Sequence, residues 1–193
     1  MICGIDEAGR GPLAGPVCAA AVILSKDFPM DLLNDSKKLT SIRREEVRLI
    51  ICEKAFAFGI GWASHTEIDE INILQASLLA MKRAFEDMQK NFVSKNELAL
   101  ALGDIKVIVD GNFTPDISVC SCTAMIKADA QIPQVMAASI LAKTERDIYM
   151  EKMAKLYPQY GYEKHKGYPT KAHREAVLKH GPSPIQRLSF KVK

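Results

Sequence analysis

"GIDEAGRGPLAGPV", residues 4 to 17, places two adjacent acids, Asp6 and Glu7, directly after a short apolar run and follows them with a loop rich in glycine and proline. Neither acid suits a buried strand, because an ionised carboxylate that leaves water must be paired or must coordinate a metal. We interpret residues 1–5 and 17–24 as neighbouring strands that this loop joins. The alternative interpretation of the two acids is a solvated turn.

The composition is that of an ordinary globular chain. With 193 residues and 48% hydrophobic content it can bury one sizeable core, and we expect a single domain over residues 1–193. The longest apolar run, "VCAAAVIL", is too short to span a bilayer, and the N-terminus lacks the pattern of a secretory signal. Five cysteines without a CxxC pair or a zinc spacing favour reduced thiols. We therefore expect a cytoplasmic protein without a membrane partner.

Charge is divided unevenly along the chain, although the formal net charge is only +3. Residues 150–193 contain ten Lys and Arg against three acids, a local net charge of +7 that leaves the first 149 residues at −4. All five tyrosines lie within or beside this segment. Cations interleaved with aromatic rings suit a nucleic-acid surface, because cations neutralise phosphates and rings stack on bases. A solvated basic helix with a few packing tyrosines explains the segment equally well.

Hydrophobic periodicity predicts an alternating α/β chain without internal repeats. Apolar residues from Ile71 to Met88 recur three and four apart, which is typical of a helix that packs on a core. "KVIVDGN" and "TAMIKAD" are short apolar runs that each end in an acid, and a further strand is expected at 60–64. The cap and stop signals predict helices from Thr40 or Ser41 to near Gly59, from Thr66, from Pro133 to about Leu156, and from Thr170 to His180.

Three separate strand-like runs end in carboxylates: Asp6 with Glu7, Asp110, and Asp129. Strand ends at one edge of a sheet can converge, and like charges this close repel one another unless cations hold them together. Oxygen ligands without a neighbouring His or Cys indicate Mg²⁺ or Mn²⁺ rather than zinc. Two such ions about 3.5–4 Å apart form the usual clamp for phosphodiester cleavage. Each strand-end Asp taken alone is more often a turn former.

Five motifs in a fixed order resemble bacterial type 2 ribonuclease H, the ribonuclease HII family, from near Cys3 to about Phe190. They are "GIDEAGRGPLAGPV", "NDSKKLT", "VDGN", "AASILAKTERD" and "YGYEKHKGYPTKAH". One of them alone would be a weak signal, whereas the ordered set is specific. The resemblance implies a ribonuclease H-like α/β fold, in which helices flank a mixed central sheet. It also implies a helical C-terminal part, which here is basic and rich in tyrosine from about residue 145.

The resemblance implies an activity as well. Members of the family use Mg²⁺ or Mn²⁺, with two ions in the site, to hydrolyse the RNA strand of RNA/DNA hybrids. They also cleave 5′ to a single ribonucleotide embedded in duplex DNA, and they leave 3′-hydroxyl and 5′-phosphate ends. We therefore expect a metal-dependent endonuclease that acts as a monomer on RNA/DNA hybrids and on ribonucleotide-containing duplex DNA.

The functional residues of the family carry over by position. Its metal-binding and catalytic acids fall on Asp6, Glu7, Asp110 and Asp129. The loop that reads the RNA-to-DNA junction falls on Gly9, Arg10 and Gly11, and the junction tyrosine falls on Tyr168. We expect phosphate contacts from Ser36, Lys37, Lys38, Lys143 and Lys166. A solvated side chain explains each of these lysines equally well.

The sequence departs from the family pattern at two places. Ala128 and Ala130 flank Asp129 in "KADAQ", where relatives have Gly before the acid and commonly Ser after it. The tail reads "IQRLSF" where a His/Arg-rich approach to Ser-Phe is expected, which puts substrate contacts from this tail in doubt. A loose resemblance to a sliding-clamp peptide, which would add a clamp to the partners, rests on Gln186, Leu188 and Phe190.

The sequence leaves two alternatives open. Ribonuclease HIII shares the core but adds an N-terminal substrate-binding domain, and the nearness of Asp6 to Met1 predicts that no such domain precedes the acids. A catalytically silent nucleic-acid-binding module would use the basic, tyrosine-rich end as its working surface. Four carboxylates at the family positions favour the enzyme.

Overall fold

A mixed sheet of five strands lies at the centre of the computed structural model, which describes residues 1–33, 40–95 and 104–192 and no side chains at 92–95. The strands are Ile2–Ala8 (β1), Val17–Leu24 (β2), Ala55–Ala63 (β3), Lys106–Asp110 (β4) and Ser121–Met125 (β5). Their order is β3-β2-β1-β4-β5. β2 pairs antiparallel with β1 and β3, whereas β4 pairs parallel with β1 and β5. The predicted pairing of the first two strands is confirmed.

The described part of the chain contains five α-helices, of which the first three pack on the sheet: Ser41–Lys54 (α1), His65–Lys95 (α2), Pro133–Leu156 (α3), Tyr162–His165 (α4) and Lys171–His180 (α5). The predicted caps Thr40 and Thr170 are confirmed, since each side-chain oxygen accepts a hydrogen bond from a main-chain N–H in the first helical turn. Among the described residues, no helix is both long enough and apolar enough to cross a bilayer.

The predicted end of the first helix near Gly59 is wrong. α1 stops at Lys54, and β3 begins at Ala55 because residues 55–63 pair with β2 along its full length. The cap of the next helix is also not Thr66. Ser64 accepts a hydrogen bond from the N–H of Glu67, while the Glu67 carboxylate accepts one from the N–H of Ser64, which forms a reciprocal capping box.

α2 consists of two helical segments that meet at Asn72, where φ is 66°. The Asn72 side chain accepts hydrogen bonds from the N–H groups of Leu74 and Gln75, and it thereby caps the second segment. The predicted apolar stripe is confirmed inside this second segment, where Phe85 and Met88 are buried. It fails before the break, because Ile71 is 37% exposed.

The sheet is covered on both faces. α2 packs on the face that carries Cys3 and Ile5 of β1. α1 and α3 pack on the opposite face, where alternate residues of β2 such as Ala20 and Val22 meet small residues of α3 such as Ala138. Burial on both faces explains why β2 reads as a continuous apolar run instead of an alternating one.

Besides the hydrophobic clusters on the two faces of the sheet, a third core cluster joins the C-terminal part to the loop after β1. It consists of contacts among Ala14, Met150, Tyr160, Tyr162 and Ile185. Tyr160 and Tyr162 are 4% and 0% exposed, so their assignment to a nucleic-acid surface is wrong. They pack against each other with ring centroids 5.7 Å apart, as the packing alternative predicts. Tyr168, in contrast, is 41% exposed.

Gly61 of β3 is a point of close approach between the sheet and α2. A Cβ atom at this position would collide with the main-chain oxygen of Ala80 and the main-chain nitrogen of Ala84. Those atoms belong to a packed helix and cannot move aside as a flexible side chain would. We therefore expect Gly61→Ala to destabilise the protein by about 1–3 kcal/mol, the usual cost of overpacking, in denaturant unfolding at equilibrium.

Gly11→Ala is the matched control for this substitution. A Cβ at position 11 would lie 3.7 Å from the Tyr168 ring, which is an ordinary contact. The free energy of unfolding of this variant should stay within about 0.5 kcal/mol of the wild-type value. Equal stability of Gly61→Ala and Gly11→Ala would contradict the close packing of α2 on β3.

Candidate active site

Asp6 and Asp110 lie side by side because β1 and β4 are parallel neighbours. Ile5 is paired with Val109, so the next residue on each strand is an acid. Ile5 and Val109 both point into the core under α2. Side chains alternate along a strand, so Asp6 and Asp110 project from the opposite face, which α3 covers.

Asp129 joins them from a turn and not from a strand end. β5 stops at Met125, and residues Ala128–Ala130 form a single 3₁₀ turn before α3. The N–H of Asp129 donates to Asp110 Oδ1 at 3.5 Å. One carboxylate oxygen from each of Asp6, Asp110 and Asp129 lies within 4.8 Å of the others. Three of the four predicted acids are therefore brought together; we call them the aspartate cluster.

The electrostatics of the aspartate cluster favour a cation. Asp6 is only 6% exposed, and burial together with the neighbouring Glu7 and Asp110 carboxylates raises its pKa well above the ordinary value. Hydrogen bonds from Ser139 and from the N–H of Glu7, the latter at 2.7 Å, oppose this rise in pKa only partly. A divalent ion bound to these oxygens would supply the missing counter-charge.

Glu7, the fourth predicted acid, stays outside the aspartate cluster. Its Oε1 lies 3.1 Å from Arg10 Nη1, and its side chain is 8% exposed. Burial raises the pKa of Glu7, while the Arg10 guanidinium acts in the opposite direction. The ion pair connects the acids directly to the Gly9–Arg10–Gly11 loop.

This loop lies against Tyr168, although more than 150 residues separate them in the sequence. The position of a Cβ on Gly11 would be 3.7 Å from Tyr168 Cε1. Lys143 Nζ lies 5.9 Å from the centroid of the same ring. Gly9 has φ of +103°, and a Cβ there would collide with the Arg146 guanidinium, so only glycine fits this turn.

Comparison with known proteins identifies the family to which this arrangement belongs. The family model described as Ribonuclease HII matches residues 3–193. The chain belongs to the ribonuclease HII family. Ribonuclease HII of Treponema denticola is 58% identical over 198 residues, which cover 100% of this chain and 99% of that protein. The chain is accordingly an endoribonuclease, and not a silent binding module.

Solved structures confirm the ribonuclease H-like fold. Ribonuclease HII in the PCNA:RNase HII complex from Archaeoglobus fulgidus is 28% identical, with a TM-score of 0.70 over 97% of this chain and 92% of that chain. Bst-RNase HIII in complex with Mn²⁺ gives a TM-score of 0.75 over 99% of this chain and 67% of that chain. Its identity is 17%, so this second likeness concerns the fold alone.

The first departure from the ribonuclease HII pattern is compatible with the site. Ala128 is fully buried beneath the turn that carries Asp129, where its small side chain fits. Ala130 is exposed, and its N–H closes the turn by donating to the Lys127 oxygen at 3.1 Å. The turn that presents Asp129 is therefore formed with alanine on both sides of the acid.

The sequence analysis missed two buried arginines, one of which lies in the second departure from the family pattern. Arg146 and Arg187 are 1% and 0% exposed, and both guanidinium groups donate only to main-chain carbonyl oxygens among the described residues. Arg187 belongs to "IQRLSF" and donates to carbonyl oxygens of the glycine-rich loop from the interior of the protein. The signal that could have found Arg146 is an arginine within the apolar face of a core helix.

Two stacked histidines hold the backbone around Tyr168. The rings of His165 and His173 are 4.5 Å apart, and burial lowers the pKa of both, so they are neutral at pH 7. His173 Nδ1 donates to the Tyr168 oxygen at 3.0 Å, and His165 Nδ1 accepts from the N–H of Gly167 at 3.2 Å. These contacts fix the direction in which the exposed tyrosine ring projects.

The remaining predicted contacts have mixed outcomes. Lys143 and Lys166 are close to the loop but are paired with Asp147 at 2.6 Å and Glu151 at 2.9 Å. Ser36, Lys37 and Lys38 lie outside the described residues. Of the three residues on which the clamp-peptide interpretation of the tail rests, Gln186 is buried and Phe190 packs beneath Arg187, which leaves only Leu188 strongly exposed.

Asp6→Asn should raise the melting temperature of the metal-free protein near pH 7 and reduce the stabilisation that Mn²⁺ provides. The folded-state pKa of Asp6 lies above its unfolded value, so stability is lost as the pH rises from the unfolded pKa through the folded pKa. The side-chain amide of the Asp6→Asn variant does not ionise, so this variant does not lose folding stability over that pH range. Thermal unfolding in chelator and in Mn²⁺ measures both effects.

Asp116→Asn is the control, because Asp116 is an exposed acid paired with Lys82 on the surface. It should change the free energy of unfolding by less than about 0.5 kcal/mol under either condition. A lower melting temperature of metal-free Asp6→Asn would contradict the repulsion within the aspartate cluster.

Proposed function

We propose that this ribonuclease HII hydrolyses the RNA strand of RNA/DNA hybrids and cleaves 5′ to ribonucleotides embedded in duplex DNA, leaving 3′-hydroxyl and 5′-phosphate ends. The observation that carries the proposal is the position of the aspartate cluster next to the Gly9–Arg10–Gly11 loop and the exposed Tyr168 ring. Acids that can hold cations and groups that can read a sugar are therefore within reach of the same nucleotide.

The residues fit two Mg²⁺ or Mn²⁺ ions as cofactors. Asp6, Asp110 and Asp129 offer hard oxygen ligands within 4.8 Å of one another, and Glu7, the remaining predicted acid, interacts electrostatically with both Asp6 and Asp110. We propose these four residues as metal-binding and catalytic. When bound, such ions activate a water and stabilise the leaving oxygen in phosphodiester hydrolysis. The Mn²⁺ in the structure of Bst-RNase HIII supports the choice of metal.

The chain itself supplies the position of the substrate. The Arg10 side chain is half-exposed, and its guanidinium forms an ion pair with Glu7. The exposed part of the guanidinium can contact a phosphate while this ion pair is kept. Main-chain groups of the loop can approach a 2′-hydroxyl closely, because Gly9 and Gly11 carry no side chains. Lys143 and Lys166 can contribute phosphate contacts if they exchange their present carboxylate partners for the substrate.

Tyr168 is suited to recognise the sugar that follows the ribonucleotide. Its ring is exposed, its backbone is held by the histidine pair, and it faces Gly11 of the loop. A ring can pack closely on deoxyribose, where no second hydroxyl intrudes. We propose that the loop recognises the ribose while Tyr168 recognises the following deoxyribose.

The further expectations from the sequence remain part of this proposal. Residues 1–193 act as one catalytic unit, since the third core cluster joins the C-terminal part to the loop after β1. The protein acts as a monomer in the cytoplasm. The burial of Gln186 and the packing of Phe190 beneath Arg187 speak against the tail as a clamp-binding peptide.

Asp110→Asn should abolish cleavage of a duplex that contains one ribonucleotide, while the fold and the binding of that duplex are kept. Asn preserves the size of the side chain but removes the charge needed beside divalent cations. Initial rates in Mg²⁺ and a binding titration measure the two effects. Asp116→Asn serves again as the surface control and should cleave like the wild type. Retention of more than about a tenth of the activity, a barrier change below roughly 1.4 kcal/mol, would rule out this role for Asp110.

Tyr168→Ala should slow cleavage at a single embedded ribonucleotide roughly tenfold to hundredfold, because a stacking contact of this kind is worth about 1–3 kcal/mol. A continuous RNA/DNA hybrid should be less affected, since its following sugar is not deoxyribose. Tyr168→Phe should keep most of the activity if packing of the ring dominates. Steady-state rates on both substrates, together with the melting temperature, measure this selectivity.

The matched control is Tyr160→Phe, which removes a buried hydroxyl group that donates to the Gly181 oxygen at 3.1 Å. It should lower the melting temperature and leave the ratio of the two rates unchanged. If Tyr168→Ala behaves in the same way, with equal losses on both substrates and a lower melting temperature, Tyr168 has only a structural role.

A further inference from the structure

Arg187 makes an unusual set of contacts with the glycine-rich loop. Its guanidinium donates to the carbonyl oxygens of Gly9 at 2.6 Å, Arg10 at 3.0 Å, Gly15 at 2.8 Å and Pro16 at 3.2 Å. The side chain is fully buried, and no carboxylate within 4 Å balances its charge in the described part of the chain. One planar group therefore spans both ends of the loop.

Two of these acceptors are consecutive, which fixes the orientation of two peptide groups. In a trans peptide the C=O and the following N–H point in opposite directions. Because Arg187 holds the carbonyls of Gly9 and Arg10 inward, the N–H groups of Arg10 and Gly11 point outward. Within the described residues neither N–H has a hydrogen-bond partner, and both residues are exposed.

We propose that Arg187 is a positioning residue for ribose recognition: it orients the peptide groups between Gly9, Arg10 and Gly11 so that two N–H donors face the 2′-hydroxyl of the substrate. The inference rests on the proposed function and assigns the orientation of its recognition loop to a residue 177 positions away from Arg10. Arg187 touches the loop and not the nucleic acid.

The geometry requires an arginine. A guanidinium presents five N–H donors in one rigid plane, so it can satisfy the two consecutive carbonyls and the far end of the loop at the same time. A lysine carries its donors on a single atom and can hold only part of this set. Burial and the neighbouring Arg146 lower the pKa of Arg187 to about 9, so the group is still protonated at pH 7.

Arg146 supports a different part of the same region. It donates to the carbonyl oxygens of Ala14, Pro16 and Lys166, at 2.9 to 3.1 Å, and to neither Gly9 nor Arg10. Arg146 thus joins the base of the loop to the segment that carries Tyr168. The orientation of the two outward N–H groups depends on Arg187.

The test is a binding titration in chelator, where no cleavage occurs, with two duplexes of one sequence: one carries a single ribonucleotide, and the other is entirely DNA. The measured quantity is the ratio of the two Kd values. Arg187→Met should reduce the preference for the ribonucleotide about thirtyfold, the equivalent of two ordinary hydrogen bonds, and leave the affinity for the DNA duplex within about twofold. Arg187→Lys should lose the preference to a similar extent, although it keeps the charge.

Ile185→Ala is the control for lost stability, because Ile185 is a buried residue of the same tail that belongs to the hydrophobic cluster of Tyr160 and Tyr162. It should lower the melting temperature and keep the Kd ratio of the wild type. A retained ratio in Arg187→Met, or full rescue by Arg187→Lys, overturns the inference alone. Equal weakening of both affinities by both Arg187 variants also overturns it, since that result indicates only a structural role. No preference in the wild type overturns the proposed recognition of the ribonucleotide together with this inference.

Discussion

Repulsion between carboxylates in a buried site is the constraint on which the rest of this structure depends. Parallel pairing of β1 with β4 places Asp6 beside Asp110, and the turn before α3 adds Asp129. The sheet is packed between α2 on one face and α1 with α3 on the other, so the acids cannot separate without disturbing the core. The fold thus holds in place three charges that oppose one another, and a divalent cation is the natural counter-charge.

The sign of the buried charge changes from negative at the aspartate cluster to positive beneath the loop that follows β1. The loop that follows these acids lies over two buried guanidinium groups, Arg146 and Arg187, whose partners among the described residues are carbonyl dipoles. Between the two regions, the ion pair of Glu7 and Arg10 connects the negative cluster to the loop. The aspartate cluster and the glycine-rich loop are consequently fixed by one continuous set of contacts, so a cation bound to the acids would have a defined position relative to the loop.

Several aromatic side chains of the C-terminal part stabilise the fold from the interior, although the positive net charge of this segment suggested a nucleic-acid surface. Tyr160, Tyr162 and the stacked His165 and His173 lie inside, and they pack the segment against the loop after β1. The histidines are neutral because burial lowers the pKa of each, and a neutral ring can accept from one main-chain group while its neighbour donates to another. This support leaves Tyr168 as the tyrosine ring that projects beside Gly11.

The sequence by itself determined those features that depend on local pattern and residue chemistry. Short apolar runs and the glycine- and proline-rich loop between them located β1 and β2, side-chain oxygens located the caps Thr40 and Thr170, and the acids at the ends of apolar runs indicated a cation site. Only the tertiary structure decided that Glu7 pairs with Arg10, that Asp129 sits in a turn, and that Arg187 orients the loop. The physical reason is that these contacts depend on how distant segments pack, and Arg187 lies 177 residues from the Arg10 carbonyl that accepts its hydrogen bond. A charged residue in a tail gives no local sign of whether packing will turn it toward the solvent or into the interior.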